Sequence, residues 1–305
     1  MEWTTIGFQY YEGYVHHMSI ECHTSMISAP PISERYRLIL IEEGSGALEI
    51  AGQSYPIVAP AIVCLNERES LKLQAENQYR GSSMYFHPLV VNRKFEFLIP
   101  DAQTDELTTT DTQDLWCLRP FRDRDRGYIG YFQIDPTYAR HIAQIFEDIA
   151  EQLAHQPDNS WPCRSRSYML EMLYLVRRIQ ESTTFSSPDV VREDVSTIAP
   201  IVRYLHTNYQ QKIKVEEITK TFLTNKTTLN NQFKATLGVT MMTYLNNVRM
   251  QMAASMLRNT TLPTGEIMNR IGIPESSLFF RHFRKYAGMT PVEYRNAYCW
   301  MKKNG

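Results

Sequence analysis

Long apolar runs are missing from this chain: nothing in its 305 residues approaches the roughly 18 consecutive apolar residues that a membrane-spanning helix needs. The start, MEWTTIGFQYYEG, has neither the basic segment nor the apolar stretch of a secretory leader, so a soluble, cytoplasmic protein without a membrane partner is expected. Cysteine is sparse. Cys22, Cys64, Cys117, Cys163 and Cys299 are odd in number, widely scattered and never spaced as a CxxC pair, which gives neither a disulfide framework nor a zinc motif. No glycine-rich phosphate loop is present. Pro162-Cys163-Arg164 has the outline of a nucleophilic-cysteine motif but lacks the His that would lower the thiol pKa. No cofactor is called for.

The net charge of −1 hides a division. Residues 1–196 hold 17 Lys and Arg against 28 Asp and Glu, formally −11, whereas residues 197–305 hold 15 against 5, formally +10. A basic segment gains free energy by releasing counterions from a phosphate backbone, and an acidic one is repelled by it. The two parts therefore have different partners. With 305 residues and 43% hydrophobic composition there is enough chain for two packed cores. A solvated basic face without a partner is the plainer alternative for the second part.

Residues 264–295, TGEIMNRIGIPESSLFFRHFRKYAGMTPVEYR, carry the most informative pattern. A short helix over 264–270 meets Gly272, which can adopt the left-handed conformation that a tight interhelical turn requires. A second helix over 276–286 has Phe279 and Phe283 four apart on a face to be buried, and Ser276, Ser277, Phe280, Arg281 and Arg284 turn to another side. Gly288 ends it, and Thr290, Pro291 and Glu293 then form a capping box for a third helix. This is a helix-turn-helix with a lid. The segment resembles the second DNA-reading unit of the AraC/XylS family of transcription regulators. Gly272-Ile273, the run Ser277 to Arg284, Gly288-Met289-Thr290-Pro291 and Tyr294-Arg295 fall where that family has Gly-Phe, Ser-Tyr-Phe-Ser-Arg-x-Phe-Lys, Gly-x-Ser-Pro and Tyr-Arg. Ile273, Leu278 and Phe280 depart from the pattern, the last replacing a small polar residue.

A weaker match precedes it. Helices are expected over 198–208, 215–222 and 226–237; Asn225 caps the last, Leu229 and Phe233 bury, and Gly238 stops it. Lys226, Thr227, Asn230, Asn231 and Lys234 then face outward, as in the family's first DNA-reading unit, although Thr219, Lys220 and Asn225 differ from its usual small residues and Ser. One helix over 240–258 joins the units; at 1.5 Å per residue it spans roughly 28 Å, close to the ~34 Å of one duplex turn. Two successive major-groove segments of double-stranded DNA are within its reach. The resemblance implies that the outward residues of both reading helices contact that DNA.

Residues 1 to about 115 read as short strands, YVHHMSIEC, RYRLILIEE, GALEIAG, QSYPIVA, AIVCLN, SLKLQA and SSMYFH, separated by Gly, Pro, Asn and Ser. A hairpin is expected at Gly52-Gln53. The pattern is similar to the cupin-like β-barrel sensor domain that many members of the family carry. His16 and His17 are adjacent on a strand and point to opposite faces, while His23 and His87 stand alone, so the metal set of cupin enzymes is not filled. Arg37 alternates with Ile39 and Ile41 and should share their interior face. An interior Arg needs an anion: the carboxylate or phosphate of a small-molecule effector, an internal pair with Glu21 or Glu49, or a place at the barrel mouth. Arg37 and His23 are the candidate effector contacts.

Residues 119–133 have no usable periodicity and read as an irregular connection. Tyr138, Ile142, Ile145, Ile149 and Leu153 form one apolar helical stripe, and Leu170, Leu173, Val176 and Ile179 another. Such a helical hairpin looks like the family's dimerisation element, giving a homodimer through residues 136–181; packing of either stripe on the barrel is the alternative. The expected architecture is α+β: a cupin-like barrel with helical hairpin over 1–182 that senses an effector and dimerises, a linker over 183–196, and an all-α DNA-binding domain with two helix-turn-helix units over 197–305. The expected function is a ligand-responsive transcription regulator rather than an enzyme. A metal-dependent cupin enzyme with a nucleic-acid-binding appendage is the alternative.

Overall fold

Runs rich in Val, Ile, Leu and Tyr, punctuated by turn residues, set the architecture of the first part of the chain. The computed structural model describes residues 3–26, 34–50, 52–75, 79–96, 107–124, 128–184 and 193–301, and the chain divides into two compact units, Met1–Phe185 and Ser186–Gly305. In the first unit the strands are β1 (Thr5–Ile6), β2 (Val15–His16), β3 (Met18–Met26), β4 (Tyr36–Glu43), β5 (Ser45–Ile50), β6 (Gln53–Val58), β7 (Ala61–Leu65), β8 (Leu71–Ala75), β9 (Tyr79–Phe86) and β10 (Tyr131–Gln133). β1 and β2 pair by themselves, β10-β7-β4-β9-β3 make a five-stranded antiparallel sheet, and β6-β5-β8 make a three-stranded one.

Ile39, Ile41, Val63 and Leu65 from the larger sheet share one core with Leu48, Ile50, Ile57 and Leu71 from the smaller. The closed barrel expected from the sequence is thus replaced, among the described residues, by two open sheets around one core. Both edges of β4 are taken, by β7 and β9, and the chain leaves that sheet at Gly44, whose φ of +115° suits glycine, to pair β5 with β6 and β8 instead. The β5–β6 hairpin closes between Ile50 and Gln53.

The helices of this unit are α1 (Thr109–Trp116), α2 (Arg119–Arg122), α3 (Pro136–His155) and α4 (Trp161–Thr184). α1 lies where strands were expected, and α2 and β10 occupy the stretch expected to be irregular. α1 has no apolar stripe, but its capping box, Thr108 with Asp111, was available as a signal. Ile142, Ile145, Ile149 and Leu153 of α3 and Leu170, Leu173, Val176 and Ile179 of α4 are all buried within the unit, α3 packing on α4 and on β3, β4 and β9. The stripes expected to form a dimer interface are therefore occupied inside one subunit.

The second unit is helical: α5 (Glu193–Asn208), α6 (Val215–Thr221), α7 (Lys226–Leu237), α8 (Met241–Asn259), α9 (Thr264–Arg270), α10 (Ser276–Ala287) and α11 (Pro291–Tyr298). α5 starts inside the segment read as linker. α8 buries Leu245, Val248, Met252, Met256 and Leu257 and serves as the rod against which α7, α9, α10 and α11 pack, while α5 and α6 pack on α7. Among the described residues, no helix is long and apolar enough to cross a membrane.

Candidate nucleic-acid interface

Two helices of equal length carry the candidate contacts, and every position of α7 has its counterpart fifty residues later in α10, from Lys226 and Ser276 onward. Leu229 and Phe233 are buried in one, Phe279 and Phe283 in the other. Tyr244 meets Phe233 edge-on at 5.9 Å and Tyr294 meets Phe283 edge-on at 5.4 Å. Gly238 and Gly288 both end their helix in the left-handed conformation, and Thr240 and Thr290 each cap the following one. The register was missed in reading the sequence, although aligning the two apolar pairs would have revealed it.

With the apolar side of each helix consumed by packing, what faces outward is polar or cationic. Lys226, Thr227, Asn231 and Lys234 are exposed and Asn230 is half-buried on α7; Ser276, Ser277, Phe280, Arg281 and Arg284 are exposed on α10. Phe280, Arg281 and Arg284 line an open concavity together with Lys285, not singled out from the sequence, and Thr290, read there only as a helix cap. A basic residue in the last turn of a reading helix was the available signal for Lys285. Two acidic groups border these helices: Glu275 accepts a hydrogen bond from the Ser277 hydroxyl at 2.5 Å, and Glu293 accepts from the Thr290 N–H at 2.7 Å and feels the charge of Arg284. His282, on the same helix, is held below its ordinary pKa by burial and by the cations Arg281, Lys285 and Arg249.

The candidate effector residues lie in the other unit and do not converge. Arg37 shares the interior face of β4 with Ile39 and Ile41 and is 8% exposed. Its guanidinium stacks 5.1 Å above the Tyr85 ring and donates to Ser83 Oγ at 3.3 Å, while the Tyr85 hydroxyl donates to Glu21 at 3.0 Å. Trp3 stacks on Tyr85 at 3.8 Å, and the nearby Ser19 Oγ and Arg37 Nε are buried without a hydrogen-bond partner. Burial pulls the Arg37 pKa down, opposed by Tyr85 and Glu21. Glu49 pairs with Lys72 instead, at 2.9 Å.

His23 sits where the β3–β9 register shifts and bridges Glu42 at 3.1 Å and Glu147 of α3 at 3.2 Å, so its ring belongs to the helix-covered side of the sheet. Hydrogen bonding to Glu147, then the charge of Glu42, raises its pKa. Both ring nitrogens are engaged, and Arg37 and His23 cannot line one pocket. Among the described residues, no three His, Cys, Asp or Glu side chains are arranged to hold a metal ion.

A helix-turn-helix domain family matches residues 218–297, the stretch that contains α7 to α10. The chain is similar to the lactose operon transcription activator of Staphylococcus xylosus, at 26% identity over 53% of this chain and 56% of that protein. That alignment spans little more than half of the relative's length. It is also similar to the transcriptional activator RhaS of Klebsiella pneumoniae, at 21% identity over 85% of this chain and 84% of that one. Among solved structures, the C-terminal domain of AraT, a response regulator from Geobacillus stearothermophilus, is 26% identical over 33% of this chain and 84% of that chain, with a TM-score of 0.32. The helix-turn-helix domain match over residues 218–297 and the similarity to these two transcription activators together support a DNA-binding transcription regulator of the AraC/XylS type.

Proposed function

We propose that the protein is a ligand-responsive transcription regulator in which residues 1–182 sense a small molecule, residues 183–196 link, and residues 197–305 hold duplex DNA, α7 and α10 each entering one of two adjacent major-groove segments. The observation that carries this reading is the pair of equivalent helices with polar and cationic outward faces in a segment of formal charge +10. Asn230 and Asn231 have the chemistry to bond adenine N6 and N7, Arg281 to bond guanine O6 and N7, and Phe280 to touch a thymine methyl. Lys226, Lys234, Arg284 and Lys285 suit phosphates. Binding of the full chain to its preferred duplex is expected to fall steeply as salt rises, through counterion release. Affinity that stays flat from low to physiological salt would remove the phosphate contacts and the reading with them.

For the effector, Arg37 with Tyr85, Ser83 and the unpartnered Ser19 hydroxyl favours an anionic group, and His23 is left out of the site. Thermal-shift screening of the full chain against carboxylates and phosphates identifies it. Arg37→Ala is then expected to abolish the response and leave basal DNA binding intact. Loss of folding of the first unit instead assigns Arg37 to a structural ion pair. A homodimer through residues 136–181 would use the outward face of α3, where Arg140, Gln144, Glu147 and Glu151 are exposed; sedimentation of Glu147→Arg tests it.

A further inference from the structure

The loop between α5 and α6 is clasped from two sides. Arg249, buried on α8, donates from Nε to the Tyr209 carbonyl at 2.8 Å and from Nη2 to the Gln211 carbonyl at 2.7 Å. From the other side, the α9–α10 turn lies directly against the same loop. Gly272 has φ +71°, and a methyl group there would overlap the Gln210 carbonyl oxygen, 2.7 Å from its carbon and 2.8 Å from the Tyr209 oxygen. The same guanidinium of Arg249 reaches electrostatically to His282 on α10. The loop thus belongs to the first helix-turn-helix, the turn to the second, and Arg249 to the helix that joins them.

A rod such as α8, acting alone, leaves each unit free to pivot at its own end. A second contact that bypasses the rod closes a ring and removes that freedom. For two helices reading one duplex the consequence is geometric, because one extra base pair between their sites displaces the second by about 3.4 Å and rotates it by about 35°. We propose that Gly272 and Arg249 are positioning residues which, through the 209–211 loop, fix the separation and phase of α7 and α10 and so select the spacing between the two elements of the DNA site. The inference rests on the two-segment reading above. Any side chain at position 272 drives turn and loop apart, and replacing Arg249 by Lys removes the fork that holds two carbonyls at once.

The test uses the full chain. Duplexes selected by the wild-type protein from a random library give the preferred site. Versions with one base pair added or removed between the elements, and one with the second element alone, are then titrated with wild type, Gly272→Ala and Arg249→Lys, each checked for folding by thermal unfolding. Wild type is expected to lose about tenfold at either altered spacing, as for a mismatched contact. Gly272→Ala should shift the optimum or flatten the preference to below about threefold, and Arg249→Lys should flatten it in part, with half-site binding unchanged in both. If Gly272→Ala fails to fold, Arg249→Lys decides. Folded variants that keep the wild-type preference, or that lose half-site and full-site affinity by the same factor, overturn the inference and leave two-segment reading standing. A wild type indifferent to spacing overturns both.

Discussion

The two helix-turn-helix units share a scaffold and differ where they meet solvent. Buried positions of α7 and α10 coincide one for one, yet Asn230, Asn231 and Lys234 face outward on the first where Phe280, Arg281 and Arg284 do on the second. The turns differ as well. Leu223 holds the left-handed position of the first turn with φ +49° and is 94% exposed, whereas the second turn puts Gly272 there. Asn225 caps α7 by accepting from the Thr228 N–H, while Glu275 at the start of α10 makes no such bond. Packing constrains one face of a reading helix tightly and leaves the other to be set by its target.

The largest effect tests whether the shared face is equivalent in energy. Phe233→Ala and Phe283→Ala each remove a ring with no exposed surface and should each cost about 3–5 kcal/mol, read by denaturant unfolding of the full chain. A cost at Phe233 far below that at Phe283 would mean the first unit collapses around the cavity and the scaffolds are equivalent in shape only. Phe280→Ala, one turn away and exposed, should change stability by less than about 0.5 kcal/mol.

Next in size are the outward faces. Arg281→Ala should cost about 1–3 kcal/mol of binding and relax preference at one base pair, and Asn231→Ala should do the same at a different pair in the other element. Lys234→Ala should weaken all sequences alike and reduce the salt slope by about 1. A panel of single-base variants of the preferred duplex separates these outcomes. Equal loss across the panel for Arg281→Ala assigns that guanidinium to a phosphate and leaves sequence reading to the first unit.

The second unit was legible in the sequence because its determinants are local. Phe279 and Phe283 at helical spacing, Gly272 in the turn, Gly288 at the end and the Thr290–Glu293 box lie within one segment and fix helices nearly to the residue. In the sheet-containing part of the chain, residues 1–185, the strands were legible, but which strand pairs with which depends on contacts between distant segments, so two sheets sharing a core read as one barrel. The face of His23 has the same origin: strict alternation would put it with Ser19 and Glu21, but the register shift between Glu21 and Thr24 turns it to the other side and leaves no mark in the residues themselves. The helical stripes were read correctly as apolar. What covers them, the sheet or a second copy, is a tertiary fact.

Leu223→Gly addresses the difference between the turns. A left-handed non-glycine residue costs roughly 1–2 kcal/mol, and glycine returns about half of that through the larger entropy of the unfolded chain. A side chain this exposed contributes almost no burial to lose. The substitution should therefore stabilise the protein by about 0.5–1 kcal/mol, measured as a rise in the denaturant midpoint at constant slope. No gain would show that the first turn accommodates Leu without strain and that the two turns differ in composition alone.

The smallest effect concerns the position that is His282 in α10 and Gln232 in α7. Burial comes first in lowering the His282 pKa, with Arg281, Lys285 and Arg249 adding to it, and its Nδ1 is buried without a partner. Because the folded-state pKa lies below the unfolded value near 6.5, the unfolded chain binds more protons in the interval between them. The stability that His282 contributes is complete above about pH 6.5 and is lost as pH falls through that interval. Burial likewise depresses His16, His17, His87 and His141 within residues 1–185, so the acid response of wild type alone does not isolate this residue. His282→Gln, which gives the second unit the residue of the first, cancels those shared terms when stability is compared with wild type at each pH. The variant should gain on wild type as pH is lowered from 8 to 5, with the steepest change below 6.5. A difference that stays constant across that range would mean that the ring titrates in the folded protein as it does in the unfolded chain, and that the cations around α10 are too well screened by solvent to distinguish the two units.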